Sequence, residues 1–156
     1  MDDAEFIEQP QLLGDKVSRS DVSVADLLDD DTVFRELGEE FEARLPADLA
    51  AIRTAFSDLC QEPDDRAAAD RLFRRVHDLK GTAGTFDYTL ISVIGNDLCR
   101  FIERPVAFSS RRLKVVELHI DAMERIAAEK ILGDGGELGI DVVDALHRVT
   151  QKVLNE

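Results

Sequence analysis

The chain has 156 residues and a mass of 17.4 kDa, the size of one ordinary domain, and 44% of its residues are hydrophobic, which excludes a disordered chain or a small disulfide scaffold. The 33 acidic residues outnumber the 19 basic ones, and the formal net charge of −14 argues against a nucleic-acid-binding protein. No stretch approaches the ~18 consecutive apolar residues of a membrane span, and the start lacks the features of a signal peptide. We therefore expect a soluble, cytoplasmic, monomeric protein that binds neither nucleic acid nor membrane.

Residues 1–30 are predicted to form an acidic, partly flexible N-terminal extension. Pro10 and the run Asp29-Asp30-Asp31 interrupt any regular period of apolar residues there. A short helical turn from Val24 to Leu28 is the element expected in this segment.

Apolar residues then recur every three or four positions from about Thr32 to Cys60, which predicts a helix. Its expected core positions are Val33, Phe34, Leu37, Phe41, Leu45, Leu49, Ile52, Phe56 and Leu59. Pro46 lies inside this segment, so we expect either a kink or a break in which Pro46 opens a second piece. Pro63-Asp64-Asp65 is predicted to end this helix and begin the next. The buried stripe of that second helix is predicted to be Leu72, Val76, Leu79, Ala83 and Phe86.

Three more helices are predicted, beginning with one from about Thr89 to Arg104. The next is capped by Ser109 or Ser110 and is expected to end at Gly133-Asp134-Gly135-Gly136, whose glycines suit a left-handed C-cap. A last helix is expected from about Ile140 to Leu154. The core positions expected in these three helices are Leu90, Ile94, Leu98, Phe101, Ile102, Leu113, Val116, Ile120, Met123, Ala127, Ile131, Val142, Leu146, Val149 and Val153.

Four consecutive amphipathic helices with short connections are typical of an antiparallel bundle. The sequence therefore predicts an all-α protein with an antiparallel four-helix bundle over residues 31–133. Residues 134–156 are predicted to form a glycine-rich loop and an extra C-terminal helix, which either packs on the bundle or mediates pairing.

Among the three histidines, His77 has the informative neighbourhood. On a helical wheel with Leu72 at 0°, the buried stripe clusters near 0° and His77 falls at about 140°, toward water. Lys80 at about 80° and Phe73 at about 100° lie in the same sector. From Asp64 to Lys80 the chain carries a net charge of +1, and such a locally basic helix is expected to steer an acidic, metal-loaded pocket toward His77.

Two glycines share this sector, Gly84 at about 120° and Gly81 at about 180°. Each costs roughly 1 kcal/mol relative to alanine in the middle of a helix. Both are expected to face away from the buried stripe, so we infer that they clear space for a partner to approach the imidazole. An exposed imidazole, a nearby ammonium and a cleared approach suit a surface that carries a phosphoryl group.

This stretch resembles the histidine-containing phosphotransfer (HPt) domain, through His77-x-x-Lys80-Gly81 followed by Ala83, Gly84, Thr85 and Phe86. It is especially similar to the phosphotransfer module at the start of chemotaxis histidine kinases, over about Val33 to Ile131. The resemblance implies a phosphorelay intermediate of a two-component system. Its exposed histidine exchanges a phosphoryl group with an aspartate on a response-regulator receiver domain, and a sensor histidine kinase is a further partner. Such a protein is a carrier without autonomous kinase activity.

By this resemblance His77 is the phosphoacceptor and Lys80 is the cation on the phosphate side. The implied partner-binding residues are Phe73, Arg74, Gly81, Gly84, Thr85 and Asp87. The family usually has a glycine where this chain has Asp87, and an added carboxylate there is expected to narrow the choice of partner or to shift the helix end. No cofactor or metal of its own is expected, and magnesium is expected on the partner receiver domain.

Two other functions fit parts of the pattern. His77-Asp78-Leu79-Lys80 also resembles the start of the phosphoacceptor box of histidine-kinase dimerisation helices, in which an acid after the histidine assists proton removal. That box normally continues with a polar residue and proline, whereas this chain continues with Gly81-Thr82. The other alternative is a bundle adaptor that binds a regulator without carrying phosphate.

The remaining histidines and the cysteines are expected to be structural. His119 and His147 are predicted to be solvated, because neither has glycine or lysine at the offsets found around His77. No two histidines have the i, i+4 spacing of a helical metal site. Cys60 and Cys99 fit a reducing compartment as well as one disulfide, and since they lie beside core positions we expect buried thiols.

Overall fold

The computed structural model describes residues 31–156, and the turn expected at Val24–Leu28 lies outside that range. Five helices occur there: α1 (Asp31–Gln61), α2 (Arg66–Thr85), α3 (Thr89–Glu103), α4 (Ser110–Ala128) and α5 (Gly136–Leu154). No strand is present in this part of the chain, so the all-α prediction is confirmed. None of these helices combines the length and apolar composition that a membrane crossing requires.

The chain divides into two compact units, Met1–Glu40 and Phe41–Glu156. Of the first unit, the structure describes residues 31–40, which are the opening turns of α1. Val33 is half-buried there, and Phe34 and Leu37 are exposed. The prediction that these three are core residues is therefore wrong, because the buried core begins at Phe41.

Contacts between helix ends show that neighbouring helices are antiparallel. Arg66, at the start of α2, donates to the carbonyl oxygens of Ile102 and Arg104 at the end of α3, at 3.0 and 3.3 Å. Arg111, at the start of α4, pairs with Glu156, which follows α5. α2 and α4 therefore each begin beside the end of the helix that follows, as in an antiparallel bundle.

α1 is linked to α4 through Arg53, which forms ion pairs with Asp121 and Glu124. Hydrogen bonds to these carboxylates raise the pKa of Arg53, chiefly the one to Glu124. The exposed Pro46 lies inside α1, which continues unbroken to Gln61, so the expected break does not occur. A proline ring removes one backbone N–H from the helix. The buried residues before and after Pro46 pack against the core, and this packing keeps the helix continuous.

The predicted starts of α2 and α4 are confirmed by their side-chain caps. Asp65 accepts a hydrogen bond from the backbone N–H of Ala67 at 3.0 Å. Ser109 accepts one from the backbone N–H of Arg112 at 3.2 Å. Each cap satisfies an N–H group that has no partner within its own helix.

The end of α4 differs from the prediction. The helix ends at Ala128, and the left-handed conformation that follows is taken by Lys130, with φ of 50°. Gly133–Gly136 therefore does not cap α4. These residues instead lead into α5, where Gly135 has φ of 76°, and a Cβ added there would lie 2.9 Å from Cδ2 of Leu90.

Buried side chains from all five helices form one hydrophobic cluster. Its largest fully buried members are Tyr88, Phe101, Ile52, Leu59, Leu72, Leu90, Ile91, Ile94, Leu98, Ile102, Ile120 and Met123. The stripe predicted for α2 is buried apart from the half-buried Phe86, and every position predicted for α3 is buried. Val149 of α5 was expected in the core, but it is 37% exposed because it lies at the edge of the buried side of its helix.

Two predictions about side chains outside the stripes are wrong. His119 is buried rather than solvated. Its Nδ1 lies 2.8 Å from the carbonyl oxygen of Val115, which can only accept, so Nδ1–H donates and makes burial tolerable. Burial lowers the pKa of His119.

The prediction of buried thiols holds for one cysteine only. Cys60, near the end of α1, is exposed, whereas Cys99 is buried as predicted. Burial raises the pKa of Cys99 to about 11.

Candidate functional site

The candidate site, called the His77 face below, is formed by the side chains of Phe73, His77 and Lys80 together with Gly81 and Gly84. His77 lies in the middle of α2 and is exposed. Its neighbours Val76 and Leu79 are buried, which fixes the side of α2 that packs on the core. Because a helix rotates by about 100° per residue, anchoring these two residues directs His77 toward solvent.

The imidazole of His77 stacks on the ring of Phe73, one turn earlier in α2. The ring centroids are 5.7 Å apart and the ring planes are inclined by 24°. Phe73 is half-buried and packs against the hydrophobic core, so it is a fixed surface for the imidazole. The stack restricts the orientation of the histidine ring while leaving it accessible.

Lys80 holds a positive charge one turn after His77. It is half-buried, and its Nζ donates a hydrogen bond to Oδ1 of Asn96 on α3 at 3.0 Å. Asn96 therefore ties the ammonium to the interface between α2 and α3 and limits its freedom. The arrangement provides a cation beside an exposed imidazole, which suits an anionic group on that ring.

The two helices approach each other closely beside Lys80, because α3 has a glycine there. A Cβ added to Gly95 would lie 2.9 Å from Cβ of Lys80 and 3.6 Å from Cγ1 of Val76. Sequence reasoning missed both Gly95 and Asn96. A glycine inside an apolar helical segment was an available signal for Gly95, whereas nothing in the sequence indicates that Asn96 faces Lys80.

The two glycines of the His77 face have different surroundings. Nothing lies within 4 Å of a Cβ added to Gly81, so this side of α2 is open. A Cβ added to Gly84 would lie 3.3 Å from Oγ of Ser92 on α3. Gly84 is exposed, as expected for a residue facing away from the buried stripe, but it also lies close to a side chain of α3.

The other residues named from the sequence lie around this face and at the end of α2. Arg74 is exposed, and the hydroxyl of Thr85 donates to the carbonyl oxygen of Gly81 at 3.4 Å. Asp87 is exposed and has φ of 66°, in the left-handed region that favours glycine. Aspartate is among the few other residues that adopt this region, which explains how Asp87 is accommodated there. The carbonyl oxygen of Asp87 accepts a hydrogen bond from the backbone N–H of Gly133 at 2.6 Å.

The other two histidines belong to the side of the molecule formed by α3, α4 and α5. His147 of α5 is exposed as predicted, and its Nε2 lies 2.7 Å from Oδ2 of Asp97 on α3. His119 of α4 is buried. Among residues 31–156, no three His, Cys, Asp or Glu side chains are placed to hold a metal ion together.

Comparison with protein families identifies the class of protein to which this bundle belongs. The family model for the Hpt domain matches residues 36–129. Because this match covers more than half of the chain, the protein belongs to the Hpt domain family. Members of this family are helical bundles that act as phosphotransfer carriers in two-component signalling rather than as classical enzymes. The searches of curated proteins and of solved structures returned no match.

Proposed function

We propose that the protein is a phosphorelay intermediate and that His77 is its phosphoacceptor. The observation that carries this proposal is an exposed imidazole on α2, stacked on Phe73 and one turn from the ammonium of Lys80, inside the region that matches the Hpt domain. The proposed partners are a receiver domain of a response regulator and a sensor histidine kinase. The proposed compartment is the cytoplasm.

In the proposed reaction a ring nitrogen of His77 attacks the phosphorus of an aspartyl phosphate on the receiver domain. The N–P bond forms as the P–O bond to the aspartate breaks, and the electron pair of that bond stays on the aspartate carboxylate. The second ring nitrogen keeps its proton during this step. Positioning and charge neutralisation account for most of the catalysis in such transfers. The reverse sequence of bond changes donates the phosphoryl group to the receiver.

The other residues of the site take supporting roles in this proposal. Lys80, held by Asn96, neutralises charge on the phosphoryl oxygens, and Phe73 keeps the imidazole in one orientation. Gly81 leaves room for the receiver domain to approach. Further partner contacts are proposed for Arg74, Gly84, Thr85 and Asp87. Magnesium is proposed to come with the receiver domain, where it would offset the phosphoryl charge from the other side.

The test is phosphoryl transfer from a labelled receiver domain to the full-length protein and to two variants. His77→Ala should abolish acceptance and keep its helical circular dichroism, because the lost side chain is exposed. His147→Ala, which removes another exposed histidine, is the matched control and should still be labelled. Acid-labile label on His77→Ala at the wild-type level would contradict the assignment.

Two further measurements separate the proposal from the alternatives. A kinase dimerisation segment with its own catalytic activity would become labelled with ATP alone, whereas a carrier should stay unlabelled until a kinase or a phosphorylated receiver is added. An adaptor would keep both its partner and its signalling effect in His77→Ala. A carrier should keep partner binding in that variant and lose the effect.

A further inference from the structure

One edge of the buried side of α5 carries an apolar stripe that the bundle covers only in part. Leu138, Val142, Ala145 and Val149 follow one another at spacings of four, three and four residues, the repeat typical of helices that pair with another helix. Leu138 is 52% exposed and Val149 37% exposed. Ala145 is also exposed, whereas Val142 is half-buried and packs against the hydrophobic core. This stripe leaves a row of apolar side chains about three turns long in contact with solvent.

The stripe is continuous with an apolar groove between α4 and α5. This groove has a volume of about 390 Å³, and Leu138 and Val142 line it together with Ile126 and Ile131. Side chains of a helix lying along the stripe would therefore enter an existing depression between the two helices. Apolar surface of this kind on an exposed helix indicates an interaction site.

Charged residues beside the stripe are segregated along the helix. Glu137 and Asp141 lie in the first half of α5, and Arg148 and Lys152 lie in the second half. All four are exposed, and none forms an ion pair with another residue of the 31–156 region. A helix that is acidic at one end and basic at the other is complementary to an antiparallel copy of itself.

We propose that the protein forms a two-fold symmetric homodimer in which the α5 helices of two copies pack antiparallel through this stripe. In the matching register, Leu138 lies opposite Val149 of the second copy and Val142 lies opposite Ala145 of the second copy, and symmetry repeats both pairs. The same register brings Asp141 beside Arg148 of the second copy on the flank of the stripe. The small side chain of Ala145 near the centre permits close approach of the two helices.

This inference differs from the sequence-based expectation of a monomer, and it does not depend on the proposed phosphotransfer role. None of the interface residues belongs to α2, the helix that carries His77. The apolar stripe provides the attraction, and the charge pattern selects the antiparallel partner. A second copy of this chain therefore fits the stripe better than an apolar segment without matching charges.

Sedimentation equilibrium of the full-length protein tests the dimer. The wild type should change from the 17.4 kDa chain mass toward twice that mass as its concentration rises. Asp141→Arg and Arg148→Asp should each weaken self-association roughly tenfold or more, since each places like charges opposite one another twice. Asp144→Arg is the matched control, because it makes the same charge change on α5 outside the stripe and should leave association within about twofold of wild type.

An equimolar mixture of Asp141→Arg and Arg148→Asp gives the decisive result. Each variant repels itself, but together they restore opposite charges at both symmetry-related positions, so the mixture should form a heterodimer about as strong as the wild-type dimer. Circular dichroism of each variant verifies that the bundle is folded. The proposal is overturned if the wild type stays monomeric at all concentrations, if Asp144→Arg weakens association as much as Asp141→Arg, or if the mixture fails to associate.

Discussion

At the scale of single residues, the hydrogen bond between Lys80 and Asn96 determines where a positive charge is held beside His77. A lysine on an exposed helix surface normally samples many side-chain conformations, and fixing it costs conformational entropy during each reaction. Here that ordering is already present in the folded protein, because Lys80 is half-buried and its ammonium is bound by an amide oxygen of α3. In the proposed reaction, this charge would be preorganised for a phosphoryl group on the imidazole.

Removing this preorganised charge should slow phosphoryl transfer without stopping it. Lys80→Ala should reduce the transfer rate about tenfold or more, since one charge-assisted contact to the phosphoryl oxygens is lost. Asn96→Ala keeps the positive charge of Lys80 but removes the hydrogen bond that holds it in place. The transfer rate of this variant should therefore lie between those of Lys80→Ala and the wild type. Stopped-flow measurement of transfer from a phosphorylated receiver provides both rates.

Lys114→Ala is the matched control for these variants. Lys114 is an exposed lysine of α4 that pairs with Glu117, away from the His77 face. Its removal should leave the rate unchanged. If Lys80→Ala transfers phosphate as fast as Lys114→Ala, Lys80 has no part in the reaction.

The buried His119 should make the stability of the fold depend on pH. Burial lowers the pKa of His119, and the positive charge of His147 lowers it further. The backbone hydrogen bond to Val115 and the negative charge of Asp97 oppose this decrease without cancelling it. As the pH falls from about 7 to about 5, the unfolded chain therefore binds a proton at His119 before the folded protein does. The free energy of unfolding should decrease over that range for this reason.

His119→Gln should show a smaller decrease in unfolding free energy between the same two pH values. The glutamine does not titrate and offers an N–H group to the carbonyl of Val115, so packing is largely kept. Urea denaturation at each pH measures the difference. An equal decrease in the wild type and in His119→Gln would mean that other groups cause the pH dependence.

Sequence reasoning reached the residues of the His77 face because they share one helix. Positions 73, 77 and 80 are fixed relative to one another by helix geometry alone, so their common side follows from the spacing. Asn96 belongs to another helix, and its contact with Lys80 depends on how α3 packs against α2. The burial of His119 has the same origin, because its position at the edge of a stripe does not specify which helix covers it.

At the scale of helices, two glycines of the α2–α3 pair should respond in opposite ways to the same substitution. Gly81→Ala adds a methyl group in open space and should stabilise the fold by about 0.5–1 kcal/mol through helix propensity. Gly95→Ala adds a methyl group 2.9 Å from Cβ of Lys80, so the helices must separate, and the fold should lose about 1–3 kcal/mol. Urea midpoints of the two variants measure this contrast.

Receiver binding gives a second contrast between the same variants. Gly81→Ala places its methyl group on the open side of the His77 face, so it should weaken receiver binding although the fold is more stable. A stabilised Gly81→Ala variant that binds its receiver as tightly as the wild type would show that this glycine does not provide clearance for the partner.

Helix boundaries were predictable where a side chain near in sequence determines them. Asp65 and Ser109 cap α2 and α4 through hydrogen bonds to backbone groups two or three residues away, and both starts follow from the sequence. The end of α4 did not follow from its composition, since Lys130 rather than a glycine takes the left-handed conformation. There the helix is closed by backbone hydrogen bonds around Lys130, among them the one from the N–H of Ile131 to the carbonyl oxygen of Ile126 at 3.0 Å.

At the scale of the whole molecule, the bundle itself was predictable because each apolar stripe needs cover from its neighbours. The sequence did not predict which residues at the ends of these stripes remain exposed to solvent. Phe34, Leu37 and Val149 continue the stripes of α1 and α5 in the sequence, yet all three are exposed. Periodicity identifies which side of a helix is apolar, but it does not identify whether the same chain or a second copy covers that side.

The two backbone hydrogen bonds at Gly133 tie together connections that are distant in sequence. Its N–H donates to Asp87, between α2 and α3, and its carbonyl oxygen accepts from Leu90 at 3.0 Å. Loops of a helical bundle usually vary in length independently of one another during evolution. In this protein an insertion at either connection would break the shared pairing, so relatives that keep this pairing are expected to lengthen or shorten both connections together.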